Sequence, residues 1–357
     1  MHPRRYCFIT GFLRSGTTLV EKLVHALPGA CIGPQPFPFL YYDTKRAFLR
    51  TRGAGEERYP LGHLFLEERY RAEDFAAFLA THRLTREALA ASFAAMRGYN
   101  GWKLPAIAAH AAGVGGGSFA EVYRRLCDGL PGVLGREAAR LLGAKEVFCE
   151  EYIPYFLAEG VPVILVLRDV RDVLTSIKHG GGAAYADRGL PVLHIVRQWR
   201  KSVAFALEFA GRANFAAVRY EHLVADPRAW LDQLADRWQM PRAAAGAIEN
   251  LRDQGGREWE GNSSFAPVQG VSRESVGRFA EYLPPDLLGA VEWLCAPEMK
   301  ILGLQPAAQP HAGMADADER RRRELISLGD AGEAEQHRWC IFPRAYQRLA
   351  RSERIAL

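Results

Sequence analysis

The chain has 357 residues, 48% of them apolar and 24% charged, the balance of a globular protein with room for one large α/β domain or two smaller ones. Its net charge of +5 suits an anionic ligand but falls far short of the dense basic stripe of a nucleic-acid binder. No apolar run approaches the length of a membrane span, so neither nucleic acid nor membrane is expected as a partner.

The opening "MHPRRYCFIT" runs from two arginines straight into a strand-like stretch, with no apolar h-region and no cleavage site of a signal peptide. The six cysteines, at 7, 31, 127, 149, 295 and 340, show no C-x-x-C spacing and no histidine at metal-ligand spacing. They read as reduced, buried thiols of a cytoplasmic protein with no metal centre.

Tyr6–Thr10 is the first predicted strand. The turn Gly11-Phe12-Leu13-Arg14-Ser15-Gly16-Thr17-Thr18 follows and opens a helix. On that helix Leu19, Val20, Leu23, Val24 and Leu27 share one face, which leaves Glu21 and Lys22 outside. Backbone N–H groups at such a loop and first helical turn converge on one point, and the helix dipole adds positive charge there. Gly11 and Gly16 permit the tight turn, Thr17 and Thr18 add hydroxyls, and Arg14 adds a fixed cation. A nucleoside-triphosphate loop reads G-x-x-x-x-G-K-[ST]; here Thr17 stands in place of the lysine. A phosphate-bearing ligand without a metal-clamped triphosphate fits better.

Residues 46–142 carry little strand signal and are read as a helical insertion over one end of the sheet, with "GVGGGS" at 113–118 a flexible connection. Further strands are predicted at Glu146–Cys149, Val163–Leu167 and Ala216–Arg219. After the third strand, Val170, Val173, Leu174 and Ile177 form another apolar helix face. Arg168 stands at the carboxyl end of a buried strand, where open α/β sheets bind ligands. With a helix starting near Asp172, Ser176 shares an anion with Arg168; the alternative is that Arg168 pairs with Asp169 or Asp172. From Gln305 the composition changes to Pro, Ala and charge, read as a loosely attached tail ending in a helix or two, with Arg320–Arg323 a solvated face. The predicted fold is α/β: a P-loop-like three-layer sandwich with a central parallel sheet and a helical insertion. The predicted organisation is one domain over 1–304, including the 46–142 insertion, and a C-terminal tail over 305–357.

"GFLRSGTTL" followed by "LRDVRDVLTS" resembles the sulfotransferases that use 3′-phosphoadenosine 5′-phosphosulfate (PAPS), in the branch of the tyrosylprotein and bacterial enzymes. The likeness covers residues 6 to 304. It implies that Arg14, Ser15, Gly16, Thr17 and Thr18 serve the 5′-phosphosulfate, and that Arg168 and Ser176 serve the 3′-phosphate. "GAKEVFCEEY" is similar to the family's Gly-x-Lys segment, which makes Lys145 the lysine at the scissile sulfate. "VRYEHLVADP" resembles its Tyr-Glu-Asp-Leu segment, with His222 in place of the acid and Tyr220 at the nucleotide. "GNSSFAPVQGVSRESVGRF" resembles the late serine-bearing segment that wraps the nucleotide, with Ser272 as its contact. The activity implied is sulfuryl transfer from PAPS to a hydroxyl or amine of a small-molecule acceptor, without metal.

Such a transfer needs cations at the leaving phosphate, for which Lys145 and Arg14 are suited, and a base for the acceptor proton. In related enzymes the base is a glutamate about twenty residues after the loop arginine; here the nearest match is Gln35, which cannot take a proton. Glu146, beside Lys145, is the first candidate, and Glu150, Glu151, His179 and His63 follow. Lys103 is assigned to substrate or structure. "PQPFPFLYYD" at 34–43 lines the acceptor pocket or packs under the helices, and "KHGGGAAY" at 178–185 is a lid or a plain loop. Two other classes remain: a kinase with a degenerate phosphate loop, disfavoured by Thr17 and by the missing acid after "VPVILVL", and a non-catalytic nucleotide-binding protein, kept open by Gln35.

Overall fold

The computed structural model describes residues 4–54, 61, 70–99, 102–180, 190–253, 256–261, 263–266, 268–307, 342–353 and 355. Five strands form one parallel sheet: β1 (Arg5–Gly11), β2 (Ala30–Pro34), β5 (Leu141–Lys145), β6 (Val163–Leu167) and β7 (Phe215–Arg219). Their order is β2-β5-β1-β6-β7. Two short strands, β3 (Arg83–Leu84) and β4 (Gly117–Ser118), make a separate antiparallel ribbon.

Side chains alternate across the sheet with the period of two that extended backbone imposes. Phe8, Val163, Leu165 and Leu142 point into one apolar core, while Cys7, Ile9, Ile164, Val166 and Leu141 point into the other. The second core is closed by the helices Thr17–His25, Tyr220–Ala225 and Pro227–Arg237. The first takes Tyr123 and Leu126 of Phe119–Cys127, Phe156 of Ile153–Ala158, and Trp199 of the long Val192–Phe209 helix. A sheet hydrophobic on both faces needs both layers, which is the three-layer α/β architecture expected.

Two strands differ from the sequence reading. Glu146–Cys149 is the turn that follows β5, and the strand itself is "LLGAK". Gly143 looks like a breaker in isolation, yet a Cβ there would lie 2.5 Å from Cys7 O and 2.6 Å from Cys7 Sγ, so only glycine lets β5 close on β1. β2, "ACIGP", escaped notice because it holds a glycine and a proline; it is an edge strand, where a missing N–H costs no ladder bond. "GVGGGS" is no loose connection either. Its Gly117–Ser118 end pairs with β3, and Ser118 caps the next helix in a box with Glu121.

The acids Glu150 and Glu151 are fully buried in an ionic cluster. Lys45 pairs with Glu151 at 2.9 Å, Lys201 donates to Glu151, and the Ser202 hydroxyl donates to Glu150. This cluster joins the Pro38–Thr51 and Val192–Phe209 helices and occupies both carboxylates in structure. The tail's described helix, Pro343–Arg351, packs on Val192–Phe209, with the Phe342 ring 4.8 Å from Phe205. Arg320–Arg323 lie outside the described residues.

Candidate functional site

The functional candidates gather at the carboxyl ends of β1, β5, β6 and β7, where the chain leaves the sheet into loops and helix N-termini. The β1 loop turns tightly. Gly16 has φ 97°, in the left-handed region, and a Cβ on it would come within 2.4 Å of Tyr220 Cδ2. Gly11 is equally constrained, since a Cβ would meet Val166 O at 2.5 Å. Ser15 stays inside the loop, its hydroxyl donating to Phe12 O at 2.6 Å.

Around this loop lies a cavity of about 290 Å³ lined by Arg14, Gly16, Thr17, Thr18, Gln35, Lys103, Lys145, Arg168 and Tyr220, with Trp259, Gly261, Ser263 and Ser264 on its far wall. Among the described residues of this wall four side chains are cationic and none is an acid. The N-terminus of the Thr17–His25 helix opens into the same space and adds to the positive field.

Arg168 is buried and makes no ion pair with a carboxylate. One nitrogen donates to Arg14 O at 3.1 Å, another to Ser275 O, and Nε has no partner. Its guanidinium lies over the Tyr220 ring, 4.6 Å from the centroid. The acids that might have neutralised it are engaged elsewhere. Asp169 caps the Val170–Lys178 helix and pairs with Arg171 at 2.6 Å, while Asp172 accepts from Gly277 and Phe279 N–H groups at 2.8 and 3.1 Å. Burial raises Asp172 to about 6, although Arg168 and both N–H groups pull it down. The helix begins at Val170, not near Asp172, which sets Ser176 in its second turn. There the Ser176 hydroxyl accepts from Arg14 Nε at 2.9 Å and lies 2.7 Å from Ser264 Oγ. Ser176 therefore joins the loop arginine rather than Arg168.

At the end of β5, Lys145 Nζ donates to Gln35 Oε1 at 2.9 Å. Burial pushes Lys145 down to about 8, partly opposed by Glu21 and Glu146. The chain matches the family model described as Sulfotransferase family over residues 7–243. It belongs to the sulfotransferase family.

Two solved structures similar to this family member are a sulfotransferase domain from the curacin biosynthetic pathway and one from the Synechococcus PCC 7002 olefin synthase. The first is 14% identical, covers 92% of this chain and 98% of its own, and has a TM-score of 0.44. The second is 16% identical, covers 92% and 94%, and has a TM-score of 0.36. No curated protein matches the chain.

Not every residue singled out from the sequence reaches the sulfotransferase cavity. Glu146 is buried behind it and accepts the Phe37 N–H at 2.7 Å; burial raises this carboxyl to about 8, against that N–H and Lys145. It fixes the turn after β2 and does not face the cavity, so its geometry argues against its being the base. The Ser272 hydroxyl accepts from Glu274 N–H at 3.1 Å, and this serine is not on the cavity wall. Its segment supplies Ser263 and Ser264 instead, nine and eight positions earlier, and Ser275 through its carbonyl. Lys103, set aside in the sequence reading, lines the cavity with Lys145. Trp259 was missed; a lone tryptophan in a polar loop gives no local signal. His179 lies tilted against Tyr282, 5.4 Å between centroids, while His63 and the glycines after Gly180 lie outside the described residues. Among the described residues no group of His, Cys, Asp or Glu is arranged to hold a metal, and no helix is long and apolar enough to cross a membrane.

Proposed function

We propose that the protein transfers a sulfuryl group from PAPS to a hydroxyl or amine of a small-molecule acceptor, with residues 1–304 as the catalytic unit. One observation carries the reading: four cationic side chains and a helix N-terminus face one cavity that has no acid on its wall. A ligand with two phosphate-bearing ends matches that field. The unpartnered Nε of Arg168 is the kind of buried donor a second phosphate would satisfy. PAPS supplies the activated sulfuryl group.

In the proposed reaction the amides of the loop, with the Thr17 and Thr18 hydroxyls, hold the 5′ end. Arg168 holds the 3′-phosphate, and Tyr220 keeps the Arg168 guanidinium flat against its ring. Arg14 is aimed by Ser176, and Lys145 by Gln35. Both cations then stabilise the charge that grows on the leaving phosphate, more in the transition state than before it. Positioning the acceptor in line behind sulfur provides the rest of the acceleration.

Thermal shift with adenosine 3′,5′-bisphosphate (PAP), ATP and ATP–magnesium, followed by label transfer from PAPS to an acceptor library, tests the assignment. Stabilisation by PAP and transfer from PAPS are the expected results. Stabilisation by ATP–magnesium alone would favour the kinase, and PAP binding without any transfer would favour a non-catalytic nucleotide binder.

A further inference from the structure

Helical periodicity puts Glu21 and Lys22 on the outer face of the Thr17–His25 helix, yet the fold buries both, at 1% and 6% exposure. The cover comes from residues 247–253, which fold back over the helix and leave a cavity of about 390 Å³ between them and β2. Glu21, Lys22, His25, Asn250, Asp253 and two arginines, Arg136 and Arg252, are the polar groups on its wall, and Ile32, Pro34 and Leu251 are among the apolar ones. Glu21 Oε1 meets Lys22 Nζ at 3.4 Å, and Oε2 is buried with no hydrogen-bond partner. A buried carboxylate oxygen left unsatisfied carries a large desolvation cost unless a ligand completes it.

This cavity adjoins the donor cavity. Pro34 lines the first and Gln35 the second, and Glu21 is one helical turn beyond Thr17. A third hollow of about 520 Å³ touches both, sharing Asp253 with the one and Arg14 and Ser264 with the other. The donor cavity has no acid among the described residues of its wall, and the adjoining cavity supplies two, Glu21 and Asp253, of which Glu21 is the one with an unsatisfied oxygen.

We propose that this second cavity receives the acceptor, a small hydroxy acid, and that the Glu21 carboxylate takes its hydroxyl proton. The inference rests on the donor reading above. Among the described residues no carboxylate pairs with Arg136 or Arg252, so both guanidiniums are available to the acid group. His25 Nδ1 lies 3.1 Å from Ile32 N and 3.2 Å from Ile32 O, so the backbone of β2 fixes the ring on the cavity wall. Burial holds His25 neutral, pushed down to about 4, with Arg136 and Lys22 acting in the same direction. Burial also raises the Glu21 carboxyl, against the pull of Lys22 and Lys145, toward the range in which a general base works best. In the step itself the acceptor oxygen forms a bond to sulfur while the bond from sulfur to the bridging phosphate oxygen breaks. That electron pair leaves on the phosphate, and the hydroxyl proton passes to Glu21 Oε2.

Calorimetry on the full chain saturated with PAP, using lactate, mandelate and para-hydroxybenzoate beside their methyl esters, tests the pocket. At least one acid should bind at millimolar concentration and its ester about tenfold more weakly, the scale of one charge-assisted contact. Arg136→Ala with Arg252→Ala should abolish the difference and leave PAP affinity unchanged. Equal binding of acid and ester, or no binding by any acid, overturns the proposal. With labelled PAPS, Glu21→Gln should lower transfer to the bound acid by about 10²–10⁴-fold at unchanged PAP affinity, and Glu21→Asp should recover part of it. Undiminished transfer in Glu21→Gln, or acids that bind and are never sulfated, overturns it as well and leaves the donor reading intact. Failure of PAP to bind would remove the donor reading and this inference with it.

Discussion

Arg168 is a buried cation with no carboxylate partner, held by two carbonyls and an aromatic face. Its sequence context, with acids at 169 and 172, left pairing and anion binding equally open; Asp169 is taken by its helix cap and Arg171, and Asp172 by the Gly277 and Phe279 N–H groups, so neither pairs with Arg168. Arg168→Ala should therefore weaken PAP binding by about 1.5–3 kcal/mol, the worth of a charge-assisted hydrogen bond. Adenosine 5′-phosphate, which lacks the 3′-phosphate, should bind the variant as well as it binds the parent in the same titration. Lys145 gives a second test. Burial lowers it to about 8, so the free enzyme loses this cation as pH rises through that value, some two units before an ordinary lysine would. The profile of kcat/KM against pH should fall on its alkaline side near 8, and Lys145→Arg, whose guanidinium does not titrate there, should remove that limb.

The element that makes the site is the turn from β1 into its helix. Two glycines were legible in the sequence as turn-formers, but what they face was not. Gly16 combines φ 97° with a Tyr220 ring 2.4 Å from any added Cβ, and Tyr220 arrives from the far end of β7. Gly16→Ala should cost about 2–4 kcal/mol, summing left-handed strain and overpacking, and denaturant unfolding will measure it. Nucleotide affinity should fall in the same variant because Tyr220 also carries Arg168. The helix after the turn taught the opposite lesson. Periodicity named its sheet-facing residues correctly, and Leu19, Val20, Leu23 and Val24 are all in the core. It misplaced Glu21 and Lys22 because a segment more than two hundred residues later covers them.

Across the whole molecule, a cationic cavity with no acid among its described wall residues predicts how the proposed transfer responds to metal removal. Sulfuryl transfer should proceed undiminished in EDTA, because the cavity is lined by cations and offers no carboxylate to hold magnesium. A strict magnesium requirement in the label-transfer assay would count against the proposed chemistry. The C-terminal region offers a test of stability. Phe342 is 3% exposed, against Phe205 and Phe209, so the end of the chain closes part of the main core rather than hanging from it. Phe342→Ala should lower stability by about 3 kcal/mol, read as a drop in melting temperature. An unchanged melting temperature would return the tail to the loose attachment that its composition suggests.

What the sequence determined by itself were features whose physics is local. Alternating strands and helices dictate a parallel sheet covered on both faces, and the strand–glycine loop–helix of residues 6–24 dictates a cluster of N–H groups at a helix N-terminus, since those groups and the dipole belong to that segment alone. Features decided by contact between distant segments needed the tertiary structure. Gly143 and Pro34 became strand residues because of their places in the sheet, and Glu146 accepts the Phe37 N–H behind the cavity wall. Ser264 met Ser176 of the Val170–Lys178 helix, and Lys103 joined Lys145 on one wall. Burial and opposition across a cavity depend on which parts of the chain meet, and no window of neighbouring residues records that.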